Sequence, residues 1–203
     1  MDEFACVFCN GVLGNPKAAT EIARNAGLLL AANGGSANLL RLGIEPHAVI
    51  GDMDSLPPGI WPGTLRFEYP EEKDRTDAEL AVEYALKEGY EKVWMIAATG
   101  GRLEHTLGNI AIVARYPGKV FLLDGDSVVC AVAANQEYAP VTKIGSVVSV
   151  IPVGSDVPVV TTSGLKYLLN GQPLIHATHG VSNVALAEKV RIQVKEGCVL
   201  ICH

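Results

Sequence analysis

The chain is short of positive charge: 16 Lys and Arg stand against 22 Asp and Glu, a net charge of −6 at neutral pH. A general nucleic-acid binder needs a basic face to neutralise phosphates, so no nucleic-acid partner is expected. A small phosphorylated ligand is not excluded, because a divalent metal can supply positive charge locally. Long apolar runs are also missing, and none approaches the ~18 to 20 residues that cross a bilayer. The opening Met1-Asp2-Glu3 lacks the basic start of a secretory signal. The expectation is a soluble, cytoplasmic protein without a membrane partner. Cysteine is sparse and odd in number: Cys6, Cys9, Cys130, Cys198 and Cys202. Cys6-x-x-Cys9 has a zinc or redox spacing, but it lies in an apolar run that reads as a buried first strand. Core thiols are expected there and in the apolar run at Cys198 to Cys202. Finally, no G-x-G-x-x-G fingerprint is present, which disfavours a nicotinamide-binding domain.

What is present is a large apolar fraction. With 49% hydrophobic and 19% charged residues, 203 residues can bury a substantial core, as one large domain or two small ones. Residues 4 to 10 read as a strand. Asn15-Pro16 opens a helix that closes at Gly27, with Asn as N-cap and Pro at the first helical position. Leu28 to Ala32 is wholly apolar, as in a parallel sheet covered on both faces. It runs into Asn33-Gly34-Gly35-Ser36, where Ser36 is expected to cap a short helix ending at Gly43. A strand, a glycine turn and a helix N-terminus together make an anion site of moderate signal.

The acidic stretch Ile50-Gly51-Asp52-Met53-Asp54-Ser55 follows another apolar strand. In extended backbone, residues i and i+2 share a side, which would project Asp52 and Asp54 together from the strand end. Like charges that close need a cation or a proton between them, and paired hard oxygens suit Mg²⁺. A solvated turn, with Pro57-Pro58-Gly59 behind it, is the plainer alternative. Thr64 to Tyr69 reads as the next strand. Thr76-x-x-Glu79 is a capping box for a helix running to Gly89, which leaves Asp74 and Asp77 unexplained by helix structure. Lys73 and Arg75 supply the nearest concentrated positive charge. Lys92 to Ala98 is a further strand, ending in Thr99-Gly-Gly-Arg-Leu-Glu-His-Thr106; a helix to about Tyr116 and a strand from Lys119 to Leu123 come next. Ligands of doubly wound sheets collect outside the carboxyl ends of the strands. Four such ends coincide here, and the coincidence carries the inference.

Beyond Asp124 helical periodicity disappears. Short β-branched runs at 127–132, 147–153, 157–161, 190–194 and 199–202 are separated by turns, the pattern of an antiparallel sandwich or barrel. The expected fold is α/β: an N-terminal Rossmann-like parallel sheet with flanking helices over 1–125, then a C-terminal all-β sandwich or barrel-like domain over 126–203.

Six motifs stand in order: Gly-Gly-Ser-Ala-Asn, Gly-Asp-Met-Asp-Ser, Asp-Arg-Thr-Asp, Thr-Gly-Gly-Arg-Leu-Glu-His-Thr-Leu-Gly-Asn, Ser-Gly-Leu-Lys-Tyr and Gly-Val-Ser-Asn. Their sequence closely resembles the thiamine pyrophosphokinases over about residues 5 to 202. The resemblance implies transfer of pyrophosphate from ATP to the hydroxyl of thiamine, with Mg²⁺, in a homodimer whose thiamine site lies near the subunit interface. It implies Asp52, Asp54 and Asp77 as metal ligands and, with Arg102, as the catalytic set. Asn10, Asn33, Gly34, Gly35, Asp74, Gly100, Gly101, Glu104 and His105 would border the nucleotide, with Asp74 acting through a bound water. Tyr167 would stack on thiamine, and Ser182 and Asn183 would bond its pyrimidine. Two positions depart from the family pattern, which usually has Asp at Asn33 and at Glu104. A paralogous pyrophosphokinase for a pterin-like alcohol and a non-catalytic thiamine- or nucleotide-binding module are the alternatives. His47 and His203 read as incidental, and spacing alone does not make His176 or His179 ligands. His105 is expected to cap a helix or touch phosphate.

Overall fold

Asn15 and Pro16 begin the first helix as their chemistry dictates. The Asn15 side chain accepts a hydrogen bond from Ala18 N at 3.0 Å, and Pro16 sits where no amide hydrogen is needed. The computed structural model describes residues 3–56 and 61–203, so the Pro57-Pro58-Gly59 turn lies outside the described residues. It divides into two compact units, one of residues through Ile112 with Lys119–Asp126, the other of Val113–Gly118 with Ser127–His203.

The first unit is built on six parallel strands: β1 (Ala5–Phe8), β2 (Leu28–Ala32), β3 (Ala48–Gly51), β4 (Leu65–Glu68), β5 (Val93–Ile96) and β6 (Val120–Asp124). They lie in the order β6-β5-β1-β2-β3-β4. Helices α1 (Pro16–Asn25), α2 (Ser36–Leu42), α3 (Asp77–Lys87) and α4 (Leu103–Arg115) connect them. Alternation along the strands sends Cys6, Phe8, Leu29, Ala31 and Val49 into one cluster with Ala19 and Ala23 of α1 and Leu39 of α2. Helix α3 packs against β1, β2 and β3. The chain steps outward from β1 to β4 and then returns to the other side of β1, so the strand order reverses between β1 and β5. That reversal is where an open α/β sheet leaves a crevice.

The second unit holds two antiparallel sheets. Strands β12 (Gly180–Val184), β9 (Val147–Val153), β14 (Cys198–Cys202) and β7 (Ser127–Ala133) form one. The other comprises β11 (Asn170–Pro173), β10 (Val159–Ser163), β13 (Arg191–Glu196) and β8 (Gln136–Tyr138). Alternation on β10 and β13 buries Val160, Thr162, Ile192 and Val194. The α/β class with a following β part, expected from the sequence, is the fold observed.

Several local expectations need correction. Ser36 does not cap α2; it is the first residue of that helix, its hydroxyl is buried without a partner, and a 3-10 turn over Asn33–Gly35 precedes it. Strands β8, β11 and β12 lie in polar stretches whose composition concealed them, because edge strands with one solvated face need few apolar residues. His47 is not incidental, since its Nδ1 accepts from Leu29 N at 2.8 Å and stitches the start of β2. Among the described residues no helix is long and apolar enough to cross a membrane.

Cys6, Cys9 and Cys130 are buried and free. Burial raises the Cys6 thiol well above its ordinary value and pushes Cys9 and Cys130 up to about 12. Because the thiolate is the reactive species, none of these three should react with a disulfide reagent at pH 7.5 in the folded chain. All five should react in denaturant, which a thiol count before and after unfolding checks.

Candidate active site

At the reversal of strand order a cavity of about 540 Å³ opens among the loops that follow β1, β2, β3 and β5 and the first turns of α3 and α4. Its volume is in the range of small-ligand clefts. Three carboxylates line it: Asp52, Asp54 and Asp77, together with Asn10, Asn33, Gly34, Gly101, Arg102 and His105.

Gly51 lies directly beneath Asn33 and Asp77. Its φ of 151° is open to glycine, and a Cβ there would lie 2.7 Å from Asn33 Cβ and 2.9 Å from Asp77 Cγ. Asp52 and Asp54 do not converge by strand alternation, as the sequence suggested. β3 ends at Gly51, and Met53 takes a left-handed φ of 65°. The chain therefore turns between the two carboxylates, with Asp54 N donating to Asp52 Oδ1 at 3.3 Å. What joins them is Asn33, whose Nδ2 donates to Asp52 Oδ1 at 2.7 Å and to Asp54 Oδ1 at 2.8 Å. Asn33, followed by Ser55, holds the Asp54 carboxyl below the usual carboxylate range. Asp77 opens α3, where Thr76 accepts from Glu79 N at 3.2 Å. Its Oδ1 is 3.0 Å from Lys73 Nζ, an ion pair without a well-formed hydrogen bond.

The donor set suits a hard divalent cation. Asn33 Oδ1 and Asp77 Oδ1 are buried oxygens with no hydrogen-bonding donor, beside two carboxylates. Among the described residues no three His, Cys, Asp or Glu side chains form a complete ligand group by themselves. Mg²⁺ does not require one, since it commonly takes one or two carboxylates and fills the remaining positions with water and phosphate oxygens.

Gly34 abuts the Asn10 side chain, which would have to move to admit a Cβ, 2.4 Å from its Nδ2. Gly35 lies away from the cavity wall, pressed against β1, where a Cβ would be 1.9 Å from Phe8 O. Asp74 is exposed and does not line the cavity, and neither do Gly100 and Glu104. Arg102 and Glu104 pair through the arginine Nε at the exposed rim. The Glu104 backbone N–H, and then Arg102, hold that carboxyl low. His105 is the third residue of α4 and faces the cavity rather than capping the helix. In the second unit, Asn183 is 5% exposed and committed to the backbone. Its Nδ2 donates to Tyr167 O at 2.6 Å and its Oδ1 accepts from Tyr167 N and Val184 N. Tyr167 is 62% exposed, with Lys166 Nζ 5.3 Å from its ring centroid. Ser182 is exposed with φ 59°, and its N–H donates to Ser149 Oγ.

Two residues escaped the sequence reading. Asn109 Nδ2 donates to Ala98 O at 2.7 Å from within the cavity wall. Asn38, buried in α2, donates to Cys9 O at 2.9 Å and Gly11 O at 3.1 Å, fixing the loop after β1. Both stand inside the ordered motifs, which was the available signal; their long-range partners were not visible.

Fold and site together define the class, a doubly wound α/β enzyme whose acidic cleft lies at the carboxyl ends of its parallel strands. A family model described as thiamin pyrophosphokinase, catalytic domain, matches residues 19–121, and one described as thiamin pyrophosphokinase, vitamin B1 binding domain, matches residues 135–199. Thiamine pyrophosphokinase of Bacillus subtilis is 31% identical over 149 residues, 67% of this chain and 67% of that protein. Thiamine pyrophosphokinase 2 of Arabidopsis thaliana is 26% identical over 172 residues, 76% of this chain and 64% of that protein. The crystal structure of the Bacillus subtilis enzyme superposes with a TM-score of 0.86 at 24% identity, covering 98% of both chains. The chain belongs to the thiamin pyrophosphokinase family.

Replacing Asn38 by Ala should leave two loop carbonyls without their donor. A loss of about 2 kcal/mol or more is expected, measured as a lowered midpoint in urea unfolding.

Proposed function

We propose that this chain transfers the pyrophosphoryl group of ATP to the hydroxyl of thiamine, releasing AMP, in the cytoplasm. The observation that carries the reading is that Asp52 and Asp54, from the turn after β3, and Asp77, from the start of α3, line one cleft. The hydroxyl oxygen attacks the β-phosphorus, and the bond from that phosphorus to the oxygen bridging the α-phosphorus breaks. AMP leaves with that oxygen, and the hydroxyl proton passes to water. Asp52, Asp54 and Asp77 would hold Mg²⁺, which supplies charge neutralisation for the phosphates.

The chain's own residues position and screen. Asn10, Gly34 and Gly101 border the phosphates closely because no side chain intervenes at the two glycines. The Arg102 guanidinium and His105 face the same space with N–H donors for phosphate oxygens. Glu104 orients Arg102 from the rim. Gly35 supports the turn by packing, while Gly100 and Asp74 act at most from outside the cavity wall.

Tyr167 offers an exposed ring to the thiazolium cation, a contact of about 0.5 to 2 kcal/mol, with Lys166 as the cation it displaces. Asn183 fixes the Tyr167 backbone, and with Ser182 it is the polar group assigned to the pyrimidine. A homodimer, with thiamine near its interface, accounts for the exposed Val141, Ile144, Val147 and Leu186 on neighbouring segments of the second unit. The pterin-like acceptor and the non-catalytic module are not favoured, since both family models match thiamin pyrophosphokinase domains.

Incubation with ATP, Mg²⁺ and thiamine should yield AMP and thiamine diphosphate in equal amounts. AMP formed only with another alcohol would overturn the acceptor, and thiamine binding without AMP would overturn catalysis. Asp54→Ala should lower turnover by at least about 100-fold, with a thermal midpoint close to the parent because exposed carboxylates contribute little to stability.

A further inference from the structure

Asn33 is 7% exposed, yet its carboxamide is satisfied on one side only. Nδ2 makes two hydrogen bonds, to Asp52 and Asp54, whereas Oδ1 is buried and accepts none. The assignment of nitrogen and oxygen is forced, because two carboxylates can only accept. A neutral N–H₂ group therefore stands between two anions, in the place where a cation would otherwise relieve their repulsion. The third carboxylate, Asp77, has an ion pair instead, with Lys73 Nζ 3.0 Å from its Oδ1. Asp52 and Asp54 are thus held together by the chain's own donor.

We propose that Asn33 is the residue that sets how this chain takes up its divalent cation: by bridging Asp52 and Asp54 it keeps affinity for the free ion low, so that metal enters with the phosphates that carry it. Turning the amide over exchanges Nδ2 for the partnerless Oδ1 at the same place, replacing a donor that competes with a cation by an oxygen that does not. The same contacts make Asn33 a positioning residue, because they hold the carboxylate pair convergent before any ligand arrives. The inference rests on the reading of Asp52, Asp54 and Asp77 as cation-holding groups.

The Asn33→Asp variant tests it, since the change is nearly isosteric, removes the bridging donor and adds a fourth anion. The readouts are paramagnetic titration of Mn²⁺ into the full chain, with and without α,β-methylene-ATP, and the thermal midpoint without metal. The parent should bind free Mn²⁺ at least about tenfold more weakly than N33D does. The metal-free midpoint of N33D should fall and recover when Mn²⁺ is added. With the nucleotide analogue present, the two proteins should bind Mn²⁺ with more similar affinity.

Equal binding of free Mn²⁺ by both proteins, with tight Mn²⁺·nucleotide binding retained, would overturn the role of Asn33 alone. Failure of both to bind Mn²⁺·nucleotide would overturn the carboxylate assignment, and this proposal with it. If N33D does not fold without metal, the parent decides the matter by the ¹⁵N side-chain resonance of Asn33. That signal should shift on addition of Mg²⁺ with the analogue; no shift would leave Asn33 a packing residue and overturn the proposal.

Discussion

Repulsion between the paired carboxylates Asp52 and Asp54, with Asp77 lining the same cavity, is the constraint on which the candidate site depends. Asp52, Asp54 and Asp77 cannot share a cleft unless something positive, or polarised to look positive, lies among them. In this chain the answer is local and specific. Asn33 donates twice into the pair, and Lys73 sits against Asp77. The glycine at 51 lets Asn33 and Asp77 approach closely enough to matter. The chain's own donors thus tie the Asp52–Asp54 pair together.

The sheet explains why these groups meet. Parallel strands bury both faces, so polar residues are expelled to the loops at the strand ends. Reversal of strand order between β1 and β5 leaves those loops splayed around an opening instead of packed against one another. Asn38 and Asn109 then hold the loops by their carbonyls, spending buried amides on backbone rather than on ligand. A cleft of this kind presents fixed dipoles and charges to a ligand, which suits phosphate transfer, where placement and electrostatics outweigh covalent participation by the protein.

The second unit follows a different economy. The exposed Tyr167 stands on a backbone held by the buried amide of Asn183. Asn183, a ligand candidate in the sequence, also makes three bonds to backbone. Gly35 tells the same story in the first unit: its place in a glycine turn suggested phosphate, and the Phe8 carbonyl beneath it requires its lack of a side chain.

The sequence by itself determined the α/β class, the helices with their Asn15 and Thr76 caps, the change to β structure after Asp124, and the family, because periodicity, capping chemistry and ordered motifs are local properties. Tertiary structure alone decided that Asp52 and Asp54 meet through Asn33 and a left-handed Met53 rather than by strand alternation. It also decided which polar residues face the cleft and which serve the backbone. Such choices depend on partners 16 to 29 positions away, and no local pattern records the distance between residues that only folding brings together.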